Sequence, residues 1–443
     1  MSRRIHSVAK CVFRPALLLP LASFFATAAF ANLFVTVIWL ASEQSNGTAA
    51  VATSLSVILL GASIAPFLFG VFADRFSGKA NILAIFAIVT ATAALTIWLS
   101  AGQATLDVTT IAFACGFARE AWRPVWRAIV FTYSAETSLL RLNGAISASN
   151  RLGELVGALL GGVTLMALSP AVVLAVPIGL LGIANAIVLL VFRFFVRQPP
   201  GLGPIQNPTP VTPFIHRSVF RPIVSHFLLL LDGVRFIFQS AKLVMLLAVL
   251  VLLQMSIKLA NLAFAPLVHD LYTGRSEVYG TMEACFAVGA FMASMVIASP
   301  AGARMQHRWV PVIGILLLCA SYISLPHISW LPVTLTVMAL MGVAFGSYLI
   351  VNTLFQQNVG ERYQGRCAST IHFSTNIASA SLLKLTSIAV IELAVPDILI
   401  GSALLALGGL LVWLALQFLP SLQASPQYGA THDDDPKLSA QRK

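Results

Sequence analysis

The sequence predicts an all-α polytopic membrane protein with twelve transmembrane helices in two six-helix bundles. Three observations carry this expectation. Of 443 residues, 58% are hydrophobic and only 10% are charged, against about 25% charged in soluble domains. Apolar runs of about 20 residues, the length a helix needs to cross the hydrocarbon, recur along the chain. These runs fall into two groups of six around a long proline-rich segment. Spans of a β-barrel would be shorter, about 10 residues, and would alternate in polarity. The sequence shows no such alternation.

Taken in order, the first group of predicted spans covers 14–40, 49–73, 80–101, 106–131, 142–168 and 170–195. No short apolar core with a small-residue cleavage site precedes them, so the first span reads as the insertion signal. Residues 196–241 then form a linker. Its QPPGLGPIQNPTPVTP stretch is too rich in proline for a helix. The apolar stretches that follow, with Arg221, Arg235 and Lys242, suggest a helix lying at the membrane interface. The second group covers 242–268, 277–300, 309–325, 329–357, 367–393 and 396–420, and the polar tail 421–443 reads as disordered. The expected units are therefore 1–195, 196–241, 242–420 and 421–443.

Basic residues set the orientation. With the N-terminus in the cytoplasm, the internal segments hold 20 of the 27 Lys and Arg residues. The external loops hold one, Arg275. Both termini are expected on the cytoplasmic side of a cell inner membrane. The same bias accounts for the net charge of +11: basic residues flank spans and face anionic lipid, so no nucleic-acid partner is called for. The five cysteines lie scattered, without zinc-ligand or redox spacing.

Charges at membrane depth are costly and usually face the protein interior. Span 4 carries Arg119, Glu120, Arg123 and Arg127; span 5 carries Arg151 and Glu154. Lys258, Glu283 and Lys384 lie in spans 7, 8 and 11, external to the midplane. Arg119, Arg123 and Arg127 recur every four residues and share one helix face. Glu120 is about 100° round the helix from Arg119, so it is expected to point toward Glu154 or Arg151. Arg151 and Glu154, three apart, are spaced for either a structural pair or a working one. Setting aside Arg127 near the inner surface, five cations oppose three carboxylates, which favours an anionic or zwitterionic small-molecule substrate. Glu120 and Glu154 are the candidates to carry a coupled proton.

Between spans 2 and 3 the chain reads GVFADRFSGKAN. Gly70 permits close helix contact, Gly78 a tight turn, and Asp74 with Arg75 and Lys79 forms a charged latch. This stretch resembles motif A of the major facilitator superfamily, with Gly70, Asp74, Arg75, Gly78 and Lys79 at the motif positions. In that family the motif holds the two halves together on the cytoplasmic side. In span 5, Gly153, Gly157 and Gly161 make a smooth stripe, followed by Gly162. The segment resembles motif C of proton-coupled exporters, with Ala158 in place of proline. QQNVGERYQGRCAS, residues 356–369, is similar to a segment of the enterobactin-exporter and macrolide-efflux branch through Gln356, Val359, Gly365 and Arg366.

The resemblance implies a secondary transporter that works by alternating access, with export driven by proton entry and a siderophore-like anion or amphiphilic drug as cargo. A lysophospholipid flippase, an organic-anion importer and a transport-dead receptor are the competing expectations on the same fold. The sequence contains no phosphate-binding G-x-x-x-x-G-K-[ST] motif, nucleophile or acid/base constellation that would suggest an enzyme. No cofactor is expected, and the expected unit is a monomer in the bilayer.

Overall fold

The structure, a computed structural model, describes residues 15–44, 47–75, 108–133, 139–195, 233–298, 309–359, 364–389 and 394–418. Among them there is no β-strand. The first group of helices is α1 (Pro15–Ser42), α2 (Gly47–Arg75), α3 (Val108–Tyr133), α4 (Leu139–Ala167) and α5 (Pro170–Phe195). The second is α6 (Ala241–Leu271), α7 (Ser276–Ala298), α8 (Trp309–Ser324), α9 (Leu331–Ala344), α10 (Gly346–Gln357), α11 (Gln364–Ala389) and α12 (Val395–Phe418). These helices lie within a few residues of the predicted spans. The expectation for 80–101 lies outside the described residues, as do Gly78, Lys79, the tail 421–443 and the linker as far as residue 232. Within the linker, 233–238 is helical and leads to Ser240, whose hydroxyl accepts from the Leu243 N–H and caps α6.

Eight of the described helical segments are long and apolar enough to cross a membrane. Large apolar side chains also cover the outside, among them Leu17, Trp330, Leu385 and Leu411. Such a surface suits lipid rather than water. Pro20, Pro177 and Pro266 sit inside α1, α5 and α6, a placement that membrane helices tolerate.

The predicted 329–357 span is two helices rather than one. They meet at Phe345, and Gly346 begins α10. The Ser347 hydroxyl donates to the Ala344 carbonyl at 2.7 Å, and kinks commonly fall at such Gly/Ser sites.

Helix pairing follows one pattern twice. In the first group α1 packs on α4 and α5, and α2 on α3; in the second, α6 packs on α11 and α12, and α7 on α9. The two most extensive contacts between the groups, α4 with α7 and α2 with α11, are counterparts under the same repeat. Without a hydrophobic drive between helices in lipid, close backbone approach and side-chain hydrogen bonds hold such contacts. Both occur here. A Cβ on Gly153 would stand 2.6 Å from the Phe24 carbonyl oxygen, and one on Gly161 would stand 3.0 Å from the Val35 side chain, so the glycine stripe of α4 receives α1. Ser23 and Thr27 of α1 both donate to Asn150 Oδ1 of α4. Between the groups, Ser56 of α2 donates to the Ala380 carbonyl of α11 at 3.1 Å and also to its own Ala52 carbonyl at 2.9 Å.

Candidate functional site

Six of the charged residues expected at membrane depth fall into three pairs. On α4, Arg151 Nη1 meets Glu154 Oε2 at 2.8 Å, one helical turn apart, with both side chains part-exposed. On α3, Arg119 Nε stands 4.0 Å from Glu120 Oε1, at the outer limit of an ion pair. The 100° offset between those two positions predicts divergence, but the long Arg119 side chain reaches across the adjacent residue. On α7, Glu283 feels the Lys258 ammonium of α6 as its neighbouring positive charge. Each of the three carboxylates thus has a cation beside it. Lys384 lies on an exposed strip of α11 with Ser381, Leu385 and Ile388, apart from these pairs. Arg123 lies on α3 and Gly70, Asp74 and Arg75 lie near the end of α2; their side chains are outside the described set. No group of His, Cys, Asp and Glu among the described residues has the arrangement of a metal site.

A second feature joins the two helix groups at the end of the bundle that carries the α1–α2, α4–α5 and α6–α7 turns. Trp39 of α1 stacks on His269 of α6, with ring centroids 4.6 Å apart and planes inclined at 16°. It also stacks on Tyr279 of α7, at 6.0 Å and 27°. Ser42 Oγ lies 3.2 Å from His269 Nε2, and the Trp39 indole N–H donates to Glu43 at 2.8 Å. The α6–α7 turn holds the histidine in place. Thr273 and Gly274 adopt positive φ, 54° and 69°, and the Tyr272 and Gly274 N–H groups return to the Val268 carbonyl. A Cβ on Gly274 would stand 2.8 Å from His269 Nδ1, so conformation and space both select glycine there.

Beside this aromatic clasp, α4 and α7 approach through glycines. A Cβ on Gly162 would lie 2.8 Å from the Ser276 carbonyl oxygen and 3.0 Å from the Gly280 Cα. The Ser276 hydroxyl donates to the Gly162 carbonyl at 3.2 Å. The four glycines of the α4 segment therefore divide. Gly153, Gly157 and Gly161 serve α1 within one group, while Gly162 serves the partner group.

Sequence reasoning missed the clasp. Trp39, His269 and Tyr279 come from three helices, and each reads alone as ordinary packing. The one legible hint is Gly274 beside Arg275, a turn signal between two spans.

Two kinds of comparison place this architecture. The family model described as Major Facilitator Superfamily matches residues 19–382. Among solved structures, a variant of the nucleoside transporter NupG superposes with a TM-score of 0.67 at 13% identity, covering 90% of this chain and 99% of that one. An auto-inhibited peptide transporter of the POT family gives 0.66 at 14% identity, with 94% and 98% coverage. A bacterial homologue of the human lysosomal transporter Spinster, inward-facing and unoccupied, gives 0.64 at 13% identity, with 94% and 99% coverage. No curated protein matches the sequence. The helical repeat, the paired charges and the family match lead to one conclusion: this chain belongs to the Major Facilitator Superfamily and is a multi-pass membrane transporter rather than an enzyme.

Proposed function

We propose that the chain is a secondary transporter that exports a small organic anion or zwitterion across the inner membrane by alternating access, coupled to proton entry. The observation that supports it most is the Arg151–Glu154 pair. A 2.8 Å ion pair on a membrane helix, with both side chains part-exposed, offers Arg151 to a solute carboxylate and Glu154 either to the solute's cationic group or to a proton, so solute and proton compete for one site as an exchanger requires. Arg119 beside Glu120 repeats the arrangement on the neighbouring helix. A zwitterion suits this pattern because each site presents both signs of charge. The aromatic clasp and the Gly162–Gly280 contact fit a conformation in which one mouth is shut. Opening that mouth and shutting the other is the rocking motion that alternating access requires. The NupG and POT-family neighbours are transporters of a nucleoside and of peptides, and cargo of similar size suits the present chain.

Inside-out vesicles with an imposed proton gradient test the reading. Vesicles containing the transporter should concentrate a member of a panel of organic acids and zwitterions. Glu154→Gln or Glu120→Gln should abolish that accumulation yet leave exchange of substrate for substrate. If both variants still concentrate substrate, neither carboxylate is the proton carrier. If no acidic or zwitterionic solute moves while a cationic drug does, the charge assignment fails.

A further inference from the structure

Below the aromatic clasp, α1 presents polar atoms that the protein leaves without partners. Asn32 and Thr36 are fully buried. Neither Asn32 Oδ1, Asn32 Nδ2 nor Thr36 Oγ1 has a hydrogen-bond partner among the described residues. On α7 the Tyr279 hydroxyl and the Glu283 carboxylate interact with each other, and Tyr279 Oη and Glu283 Oε1 have no further hydrogen-bond partner among the described residues. Helical spacing aligns these atoms. Thr36 and Asn32 lie three and seven residues before Trp39, on its side of α1, and Glu283 lies four residues after Tyr279, on its side of α7. Trp39 and Tyr279 stack on each other, so the two faces meet at the stack. Descending from the stack, Thr36 sits about 4.5 Å below Trp39, Asn32 about 10 Å below it, and Glu283 about 6 Å below Tyr279, by helical rise. Buried polar atoms in native proteins nearly always have partners. Three unpartnered atoms on α1, with the Tyr279 and Glu283 pair on α7 keeping spare acceptor capacity, mark a place where something else completes the hydrogen bonds.

We propose that Asn32, Thr36, Tyr279 and Glu283 form a subsite for an uncharged, hydroxylated portion of the transported solute. The chemistry selects this class. Asn32 offers two donors and an acceptor, Thr36 and Tyr279 each offer a donor and an acceptor, and Glu283 offers acceptors. Lys258 acts on Glu283 as a nearby positive charge and offsets the carboxylate. A pair of adjacent hydroxyls meets such a set: each donates to a carboxylate or carbonyl oxygen and accepts from an amide or hydroxyl. The subsite rests on the transporter reading but not on the anion assignment, because it lies on α1 and α7 rather than α3 and α4.

Purified full-length protein in detergent, with binding followed by thermal shift and equilibrium dialysis, tests it. The probes are D-glucose, uridine and 2′,3′-dideoxyuridine. Glucose or uridine should raise the melting temperature and the dideoxy compound should not; which of the two binds separates a free sugar from a nucleoside. Asn32→Leu should keep or raise the melting temperature of the free protein, since an unpaired buried amide is removed, yet lose the ligand-induced shift. Glu283→Gln, with its shape kept, should weaken binding by roughly 10- to 100-fold, the loss expected for a hydrogen bond to a charged group. Equal binding of uridine and its dideoxy form overturns the proposal, as does absence of binding by both hydroxylated probes. A lower melting temperature for Asn32→Leu with ligand shifts intact would make Asn32 a structural residue and overturn its role. Transport of organic acids with no binding of these probes would leave the anion reading standing and this one refuted.

Discussion

Replacing Gly162 by alanine separates the contact between the helix groups from the contacts within one group. The added methyl would meet the backbone of α7 at three points: the Ser276 carbonyl oxygen at 2.8 Å, the Gly280 Cα at 3.0 Å and the Glu277 Cα at 3.1 Å. Comfortable carbon contacts lie near 3.5–4.0 Å. The helices must therefore part by roughly 0.5–1 Å, and such overpacking typically costs about 1–3 kcal/mol. That cost falls only on the arrangement in which α4 and α7 touch here. The equilibrium should shift away from it by about 5- to 150-fold. Spin labels at Ser169→Cys and Arg275→Cys, with the five native cysteines replaced, report the separation of the two helix ends. Gly162→Ala should move the distance distribution to longer values. Gly157→Ala is the control, because its added methyl meets the Ala28 backbone on α1 within the same group. It should lower thermal stability and leave the label distances alone. Unchanged distances in Gly162→Ala, or an equal shift in Gly157→Ala, would refute the claim that Gly162 governs closure.

Other outcomes follow from the same geometry. Trp39→Ala removes two ring contacts worth about 0.5–1.5 kcal/mol each beyond their burial, and should lengthen the same label distance; Trp39→Phe should restore part of it. Arg151→Ala leaves Glu154 without its 2.8 Å partner and should weaken binding of a transported anion by about 10-fold or more, while Arg151→Lys should retain part of it; titration by calorimetry checks both. Lys384→Met, on the exposed strip of α11, should leave binding and stability within experimental error, and a tenfold loss of transport would return Lys384 to the site. Reporter fusions after Lys443 and in the 198–213 loop should signal cytoplasm, and one near Gly274 the opposite side; a periplasmic signal from 198–213 would overturn the proposed topology.

Features that depend on spacing within one helix were legible in the sequence. The Gly153, Gly157 and Gly161 stripe needed only a period of four, and it does face a neighbouring helix. The Arg151–Glu154 pair needed only i,i+3 spacing. Features assembled from distant segments were not legible. Trp39, His269 and Tyr279 meet across more than two hundred residues of chain, and in a greasy sequence a single aromatic carries no sign of its partner. Asn32 stands deep in an apolar run of the sequence, but Thr36 gains meaning only beside Tyr279 and Glu283. Glu120 shows a different limit: an ideal helical wheel fixes where Cβ points, and the long Arg119 side chain still comes within 4.0 Å of its carboxylate from the adjacent position. The division at Phe345 was hidden because Gly342 and Gly346 in a long apolar run fit an unbroken span equally well.

The forked bond of Ser56 bears on how freely the two groups can move past each other. Its hydroxyl is already served by Ala52 in its own helix when it touches Ala380. Drawing α2 away from α11 strands no donor, because the inner prong of the fork remains. A side chain gripping only the opposite helix would add the cost of an orphaned buried group to every cycle, about 1–3 kcal/mol. Ser56 instead lets its own bond across that seam break and re-form without stranding a donor.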